Sequence, residues 1–221
     1  MTNVFHRSLK NTPPSAVNGE GSYLIDAEGK RYLDGSSGAA ISCLGHQNQI
    51  VVKAIKDQVD KLAFAHTGFF TSEPAEQLAR NLVTIAPKEI EKVFFVSGGS
   101  EAIESAIKLS RQYFCDKGET RRSNFIARRQ SYHGNTLGAL AIGGNKWRRE
   151  KFKPLLLDVG RISPCYAYRD QMNKETTWDY GQRVADELEL KILEMGPDTV
   201  AAFIAETVVG ATAGAVPAVS G

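Results

Sequence analysis

A chain of 221 residues is long enough for one large domain or two small ones, and its 42% hydrophobic and 24% charged content is ordinary for a soluble globular protein. Its 27 basic and 25 acidic residues leave a net charge of +2, too small to argue for nucleic acid or an anionic membrane as a partner. Cys43, Cys115 and Cys165 lie far apart with no CxxC or Cys/His spacing, which argues against a disulfide framework or a metal site and for a reducing, cytoplasmic setting.

The leader MTNVFHRSLKNTPPSAV lacks the apolar core of a signal peptide. SYLIDAEGKRYLD (22–34) predicts a β-hairpin turning at Ala27-Glu28-Gly29-Lys30, where Gly29 can take a positive φ. GSSGAAISCLGH (35–46) is too rich in glycine for a stable helix. IVVKAIKDQVDKLAF (50–64) sets Val51, Ala54, Ile55 and Leu62 at amphipathic helical spacing. A second helix is predicted from about Glu73 to Ile85, with Pro74 in its first turn and Pro87 ending it. The loop between them, AFAHTGFF (63–70), carries three phenylalanines suited to a core plug or a pocket wall.

From Val93 the rhythm changes. A strand VFFV (93–96), a helix 100–115, a strand NFIA (124–127), a helix near 136–143, a helix at about 180–195 and a strand VAAFIA (200–205) follow in turn. Met195-Gly196-Pro197 stops the last helix. Short apolar strands alternating with helices predict an α/β fold, a mainly parallel sheet with helices on both faces, preceded by a small N-terminal α+β segment. VAAFIAETVVGATAGAVPAV (200–219) has the length of a membrane span, but Glu206 at a bilayer centre would cost about 2.5–3.5 kcal/mol. A buried strand leading into a glycine-rich loop is the better reading.

VFFVSGGSEAIESAIKLSRQYF (93–114) joins a strand to a helix through a Gly-Gly-Ser bend. A helix start presents unpartnered N–H groups and partial positive charge, and Gly98 and Gly99 would let the backbone approach the oxygens of an anion. Ile103, Ala106, Ile107, Ser110 and Phe114 share the face that would pack on a sheet. Neither GxxxxGK[ST] nor GxGxxG is present, so the nucleotide loops are excluded, and a plain strand-to-helix turn would use the same residues. SYHGNTLGAL (131–140) and the strand end FIAE, with Glu206, add an aromatic, an imidazole and a carboxylate at two further strand ends. In open α/β sheets the carboxyl ends of strands are where ligands bind, so the three segments together point to a phosphorylated aromatic ring.

The segment from Gly19 to Asp34 (GEGSYLIDAEGKRYLD), Leu44-Gly45-His46, SGGSEAIESAIKLSR, SYHGNTLGAL and FIAETVVGATAG occur in this order over nearly the whole chain. In this the chain resembles the class III (ω-type) aminotransferases of fold type I, which depend on pyridoxal 5'-phosphate. The resemblance implies that Gly99 and Ser100 grip the cofactor phosphate, that Tyr132 stacks on the pyridine ring beside His133 and Gly134, and that Glu206 orders the site. It also implies that Ser37, Gly38, Ala39 and Ala40 line the substrate entrance. Gly98 stands where many members have Ser, and Thr207 replaces a common proline.

The family's Schiff-base lysine and its ring-nitrogen aspartate lie beyond the last matched motif, and Lys108, Lys146, Lys151 and Lys153 do not occupy that lysine's position. The expectation is therefore the N-terminal half of a longer enzyme, or one paired with a complementing C-terminal half, with no catalytic residue of its own. Residues 1–70 would contribute to the small domain and the entrance, and 71–221 would form the first part of the large domain with an incomplete sheet. The implied reaction moves an amino group from an amine or amino acid to an α-keto acid or other carbonyl acceptor, in a cytoplasmic homodimer with no membrane or nucleic-acid partner. An aminomutase or decarboxylating transaminase on the same scaffold, and a non-catalytic assembly partner, stay open as alternatives.

Overall fold

The computed structural model describes residues 2–221, which form two compact units divided between Val93 and Phe94. In the first, β1 (Ala16–Glu20), β2 (Tyr23–Asp26) and β3 (Arg31–Leu33) make an antiparallel sheet in that order. The predicted hairpin is β2–β3, with Tyr23 opposite Leu33. Asp26 organises its turn. The carboxylate accepts from the N–H groups of Glu28 (3.0 Å) and Lys30 (2.8 Å) and from the Tyr32 hydroxyl (2.7 Å), while Gly29 turns at φ +81°. The Tyr32 hydrogen bond leads the causes that hold the Asp26 carboxyl below its ordinary range.

The glycine-rich segment forms a single turn, α1 (Ser37–Ala40), whose residues all have positive φ, from 49° at Ser37 to 69° at Ala40. This is a left-handed turn, so no ordinary helix forms there. Asp34 holds it by accepting from the Gly38 N–H (3.0 Å), the Ser42 hydroxyl (2.9 Å) and His46 Nε2 (2.9 Å). α2 (Gln49–Lys61) is capped by Asn48, which accepts from the N–H groups of Ile50 and Val51. α3 (Glu73–Ile85) has the bounds its two prolines predict. It lies within the first unit. Phe64, Phe69 and Phe70 are all exposed, so among the described residues the loop between α2 and α3 plugs no core.

The second unit runs α4 (Gly99–Asp116), β4 (Asn124–Arg128), α5 (Leu137–Ile142), α6 (Lys146–Arg149), a 3-10 turn at Glu150–Leu155, β5 (Gly160–Ile162), α7 (Ala167–Asp170), α8 (Thr177–Met195) and β6 (Val200–Ile204). A short hairpin of β7 (Val208–Val209) and β8 (Val216–Pro217) follows. The sheet order is β5-β4-β6, parallel throughout, with Ile126 of β4 opposite Gly160 and Phe203. Strand alternation then builds two cores. Phe125 and Ala127 point to one face with Ile107, Ala141, Ile142 and Val159, under α4 and α5. Ile126 points to the other with Ile162, Val200, Leu188, Ile192 and Met195, under α8. This is the α/β arrangement expected, with helices on both faces.

One predicted strand is absent. Residues 93–96 pair with nothing among the described residues, and Phe94 is 79% exposed. A β-forming composition makes a strand only where a ladder partner takes it up, and 93–96 join neither outer edge of the β5-β4-β6 sheet. α8 also starts earlier than predicted, because the Thr176 hydroxyl caps it by accepting from the Asp179 N–H (3.1 Å). Residues 200–219 form a strand and a hairpin, and no helix among the described residues is long and apolar enough to cross a membrane.

Candidate active site

The chain leaves the carboxyl end of β4 into a loop that Ser131 closes. Its side chain is 1% exposed, donating to the Arg128 carbonyl (2.8 Å) and accepting from the Gly144 N–H (2.9 Å). These bonds fold residues 132–143 into a closed excursion at the strand end. Two further hydrogen bonds tie that excursion to distant segments. The Tyr132 N–H donates to Glu206 Oε1 (2.7 Å), 74 residues away, and the Asn135 N–H donates to Ser100 Oγ (2.9 Å), 35 residues away. Between them Gly134 turns at φ +139°, where a Cβ would lie 2.9 Å from both Ser100 Cα and Ala139 Cβ. Only glycine permits so close an approach.

Gly99, Ser100, Tyr132, His133, Gly134 and Glu206 are thereby gathered at one end of the second unit. Ser37, Gly38, Ala39 and Ala40 belong to the first unit, in the left-handed turn. A shallow pocket of about 200 Å³ lined by Ile41, Leu44, Gln47 and Val51 also belongs to the first unit and holds none of the gathered residues.

The start of α4 is open. Gly98 and Gly99 have no heavy atom within 4 Å of where a Cβ would stand, and no side chain caps the helix. Its first-turn N–H groups have no intrahelical acceptor, so they and the helix dipole favour an anion. Because Ser100 Oγ accepts from Asn135, its own O–H stays available to donate. Three polar atoms of the tied segments are shielded and without partners among the described residues: His133 Nε2, Thr136 Oγ1 and Glu206 Oε2. Such orphans are costly unless a ligand or water satisfies them. Burial pushes the His133 imidazole below its ordinary pKa, Glu206 pulls it back and Arg161 pushes it further down. His133 is neutral at pH 7. An anion at the helix start with a polar aromatic group beside it fits these residues.

Sequence reasoning missed the residues that hold this arrangement. Glu104, in the middle of α4, accepts from the N–H groups of Gly138 (2.8 Å) and Ala139 (3.2 Å) and so caps α5 from outside. Arg161 of β5 donates to the carbonyls of Ala141 and Ile142 at the other end of that helix. Burial, with Arg149 nearby, lowers the Arg161 pKa to about 10, still cationic at neutral pH. The Arg148 guanidinium lies 5.0 Å from the centroid of the Tyr132 ring. Periodicity carries no signal for any of these contacts, since each joins elements that are remote in sequence.

The description Aminotransferase class-III matches residues 4–220. An uncharacterised aminotransferase of Schizosaccharomyces pombe is 43% identical over 219 residues, covering 99% of this chain and 48% of that protein. The uncharacterised aminotransferase YodT of Bacillus subtilis is 43% identical over 208 residues, covering 94% and 46%. Among solved structures, an omega transaminase from Pseudomonas jessenii in complex with PMP superposes with a TM-score of 0.88 at 33% identity, over 93% of this chain and 46% of that one. The chain thus spans about half the length of the curated relatives it matches. On a family match over almost every residue, the chain belongs to the class-III aminotransferases.

Proposed function

We propose that Gly99, Ser100, Tyr132, His133, Gly134 and Glu206 form the phosphate and ring cradle of a pyridoxal-phosphate-dependent transaminase, which moves an amino group from an amine or amino acid to a keto acid. The observation that carries this reading is the pair of long-range hydrogen bonds, Tyr132 to Glu206 and Asn135 to Ser100, which join the three motif segments at an open helix start. When bound, pyridoxal phosphate would supply an aldehyde that takes up the amino group and an electron-withdrawing ring. Ser100 and the first N–H groups of α4 bind the phosphate, and Tyr132 presents its ring as a shelf. Neutral His133 offers a hydrogen bond without adding charge. Glu206 orients the Tyr132 backbone through one carboxylate oxygen and keeps the other for the site.

The lysine and the ring-nitrogen aspartate implied by the family match no residue of 1–221 and in this reading lie outside this stretch. Ser37 to Ala40 line the substrate entrance in this reading, and the enzyme acts as a homodimer. Cys43, Cys115 and Cys165 as free thiols support a reducing, cytoplasmic location.

The test is to incubate the intact protein with pyridoxal phosphate, a panel of amine donors and pyruvate, and to follow alanine by chromatography. Cofactor-dependent alanine with a stoichiometric carbonyl product is expected. Carbon dioxide release, or product without net amino exchange, would replace simple transamination with one of the related reactions. No cofactor-dependent chemistry with any donor would overturn the reading.

A further inference from the structure

The turn Ser37–Ala40 holds a backbone that side chains rarely adopt. Ser37, Ala39 and Ala40 have φ of 49°, 62° and 69°, the left-handed region that is strained for residues other than glycine. Such a run persists only where the surroundings impose it. The turn's own backbone bonds run from the Ala40 N–H to the Ser36 carbonyl (3.0 Å) and from the Ile41 N–H to the Ser37 carbonyl (2.8 Å). Bonds of this kind also close right-handed turns, so they do not select the hand. Asp34 supplies a contact from outside the turn. Its side chain is 8% exposed, and one oxygen accepts from the Gly38 N–H in the middle of the turn (3.0 Å). The other accepts from the Ser42 hydroxyl and from His46 Nε2, at 2.9 Å each.

Both ends of this clasp are fixed to the sheet of the first unit. The Asp34 N–H donates to the Ser22 carbonyl (2.9 Å) and the His46 N–H to the Gly21 carbonyl (2.7 Å), where the chain turns between β1 and β2. A Cβ at Gly19 would lie 2.6 Å from His46 Cβ, so His46 packs directly on β1. A carboxylate anchored in this way holds the Gly38 N–H through a charge-assisted bond, which is stronger than a neutral one. The turn so held leaves Ala39 and Ala40 exposed. Resting on the transaminase reading, in which Ser37 to Ala40 line the substrate entrance, we propose that Asp34 is the positioning residue of that entrance: its carboxylate selects the left-handed turn and so sets the shape that bulky donors meet. Without it the strained residues relax, and the competent entrance is only partly populated. Apparent affinity then falls by that fraction for donors large enough to reach the turn, and small donors are spared.

The experiment compares the intact native protein with Asp34→Ala and Asp34→Asn. The amide keeps an oxygen for the Gly38 N–H and offers N–H donors to Ser42 and His46, both of which can accept. Amide exchange at Gly38 should be about tenfold faster in Asp34→Ala and within about threefold of native in Asp34→Asn. In turnover with pyruvate, Asp34→Ala should lower the ratio of kcat/KM for 1-phenylethylamine to that for isopropylamine by about tenfold, through KM, and Asp34→Asn should restore it. Pyridoxal phosphate affinity should stay within about threefold of native in both variants. Unchanged Gly38 exchange or an unchanged donor ratio in Asp34→Ala overturns the proposal. A parallel loss of pyridoxal phosphate affinity also overturns it, because the carboxylate then supports the whole fold rather than the entrance. If Asp34→Ala does not fold, Ser42→Ala removes one of the three bonds and should lower the donor ratio by about threefold; no decrease there overturns the proposal. If the native protein binds no pyridoxal phosphate, the transaminase reading fails, while Gly38 exchange still decides whether Asp34 holds the turn.

Discussion

Gly134→Ala tests whether close contact between the 132–135 loop and the start of α4 builds the site. The added Cβ would stand 2.9 Å from Ser100 Cα and from Ala139 Cβ. Carbon contacts settle near 3.5–4.0 Å, so the two segments must part by roughly 0.6 Å or more. Overpacking of this kind costs about 1–3 kcal/mol. A backbone at φ +139° adds about 1–3 kcal/mol of strain once the residue is not glycine. Even about 2 kcal/mol is roughly thirtyfold in an equilibrium constant. The expected result is a lower urea midpoint for the intact protein together with pyridoxal phosphate affinity weakened at least about thirtyfold. Gly118→Ala is the control, since Gly118 has φ +79° but no atom within 4 Å of its Cβ position. It carries strain without a clash, outside the site, and should leave cofactor affinity unchanged. A Gly134→Ala protein that binds within about threefold of native, or a Gly118→Ala protein that loses affinity equally, refutes the reasoning.

Glu104→Ala removes the acceptor for two N–H groups of α5 and should cost about 1–2 kcal/mol, read as amide exchange at Gly138 and Ala139 faster by about fivefold or more; unchanged exchange there would show that water replaces the carboxylate at no cost. Hydrogen bonds from Arg183 lead the causes that lower the Glu175 carboxyl from 4.5 to about 2, so this pair stabilises the fold above pH 4.5 and that contribution is lost as pH falls towards 2. The urea midpoint should drop more steeply in the native protein than in Arg183→Met below pH 4.5, and parallel curves would contradict the assignment. His133 titrates below 6.5 when folded, so its stabilising contribution is present above pH 6.5 and is lost as pH falls through its folded value. Glu206→Gln removes the charge that pulls this imidazole up, and the NMR titration of His133 should move further down; an upward move would refute the coupling.

Where a boundary depends on local chemistry, the sequence was readable. α3 runs between Pro74 and Pro87 because proline lacks an N–H and restricts the residue before it. β4 and β6 are runs of apolar residues that only a sheet buried on both faces would use. β1 (AVNGE) and β5 (GRI) were not foreseen, because neither has an apolar run, and both become strands by pairing with β2 and β4. VFFV is the reverse case. Its residues favour a strand, yet a strand exists only as a ladder, and no described residue provides one.

The candidate site divides along the same line. Gly99-Ser100, Tyr132-His133-Gly134 and Glu206 stand out in the sequence as candidates, the first pair because a glycine bend at a helix start suits an anion whatever surrounds it. Their convergence was decided by tertiary structure, through hydrogen bonds spanning 35 and 74 residues. So were the roles of Glu104, Ser131, Arg148 and Arg161, whose partners lie on other elements. Side-chain type and local spacing determine which segments can bend, cap or bury. Which polar atoms meet across the fold, and which are left over for a ligand, depends on packing between distant elements, and no local window of sequence contains it.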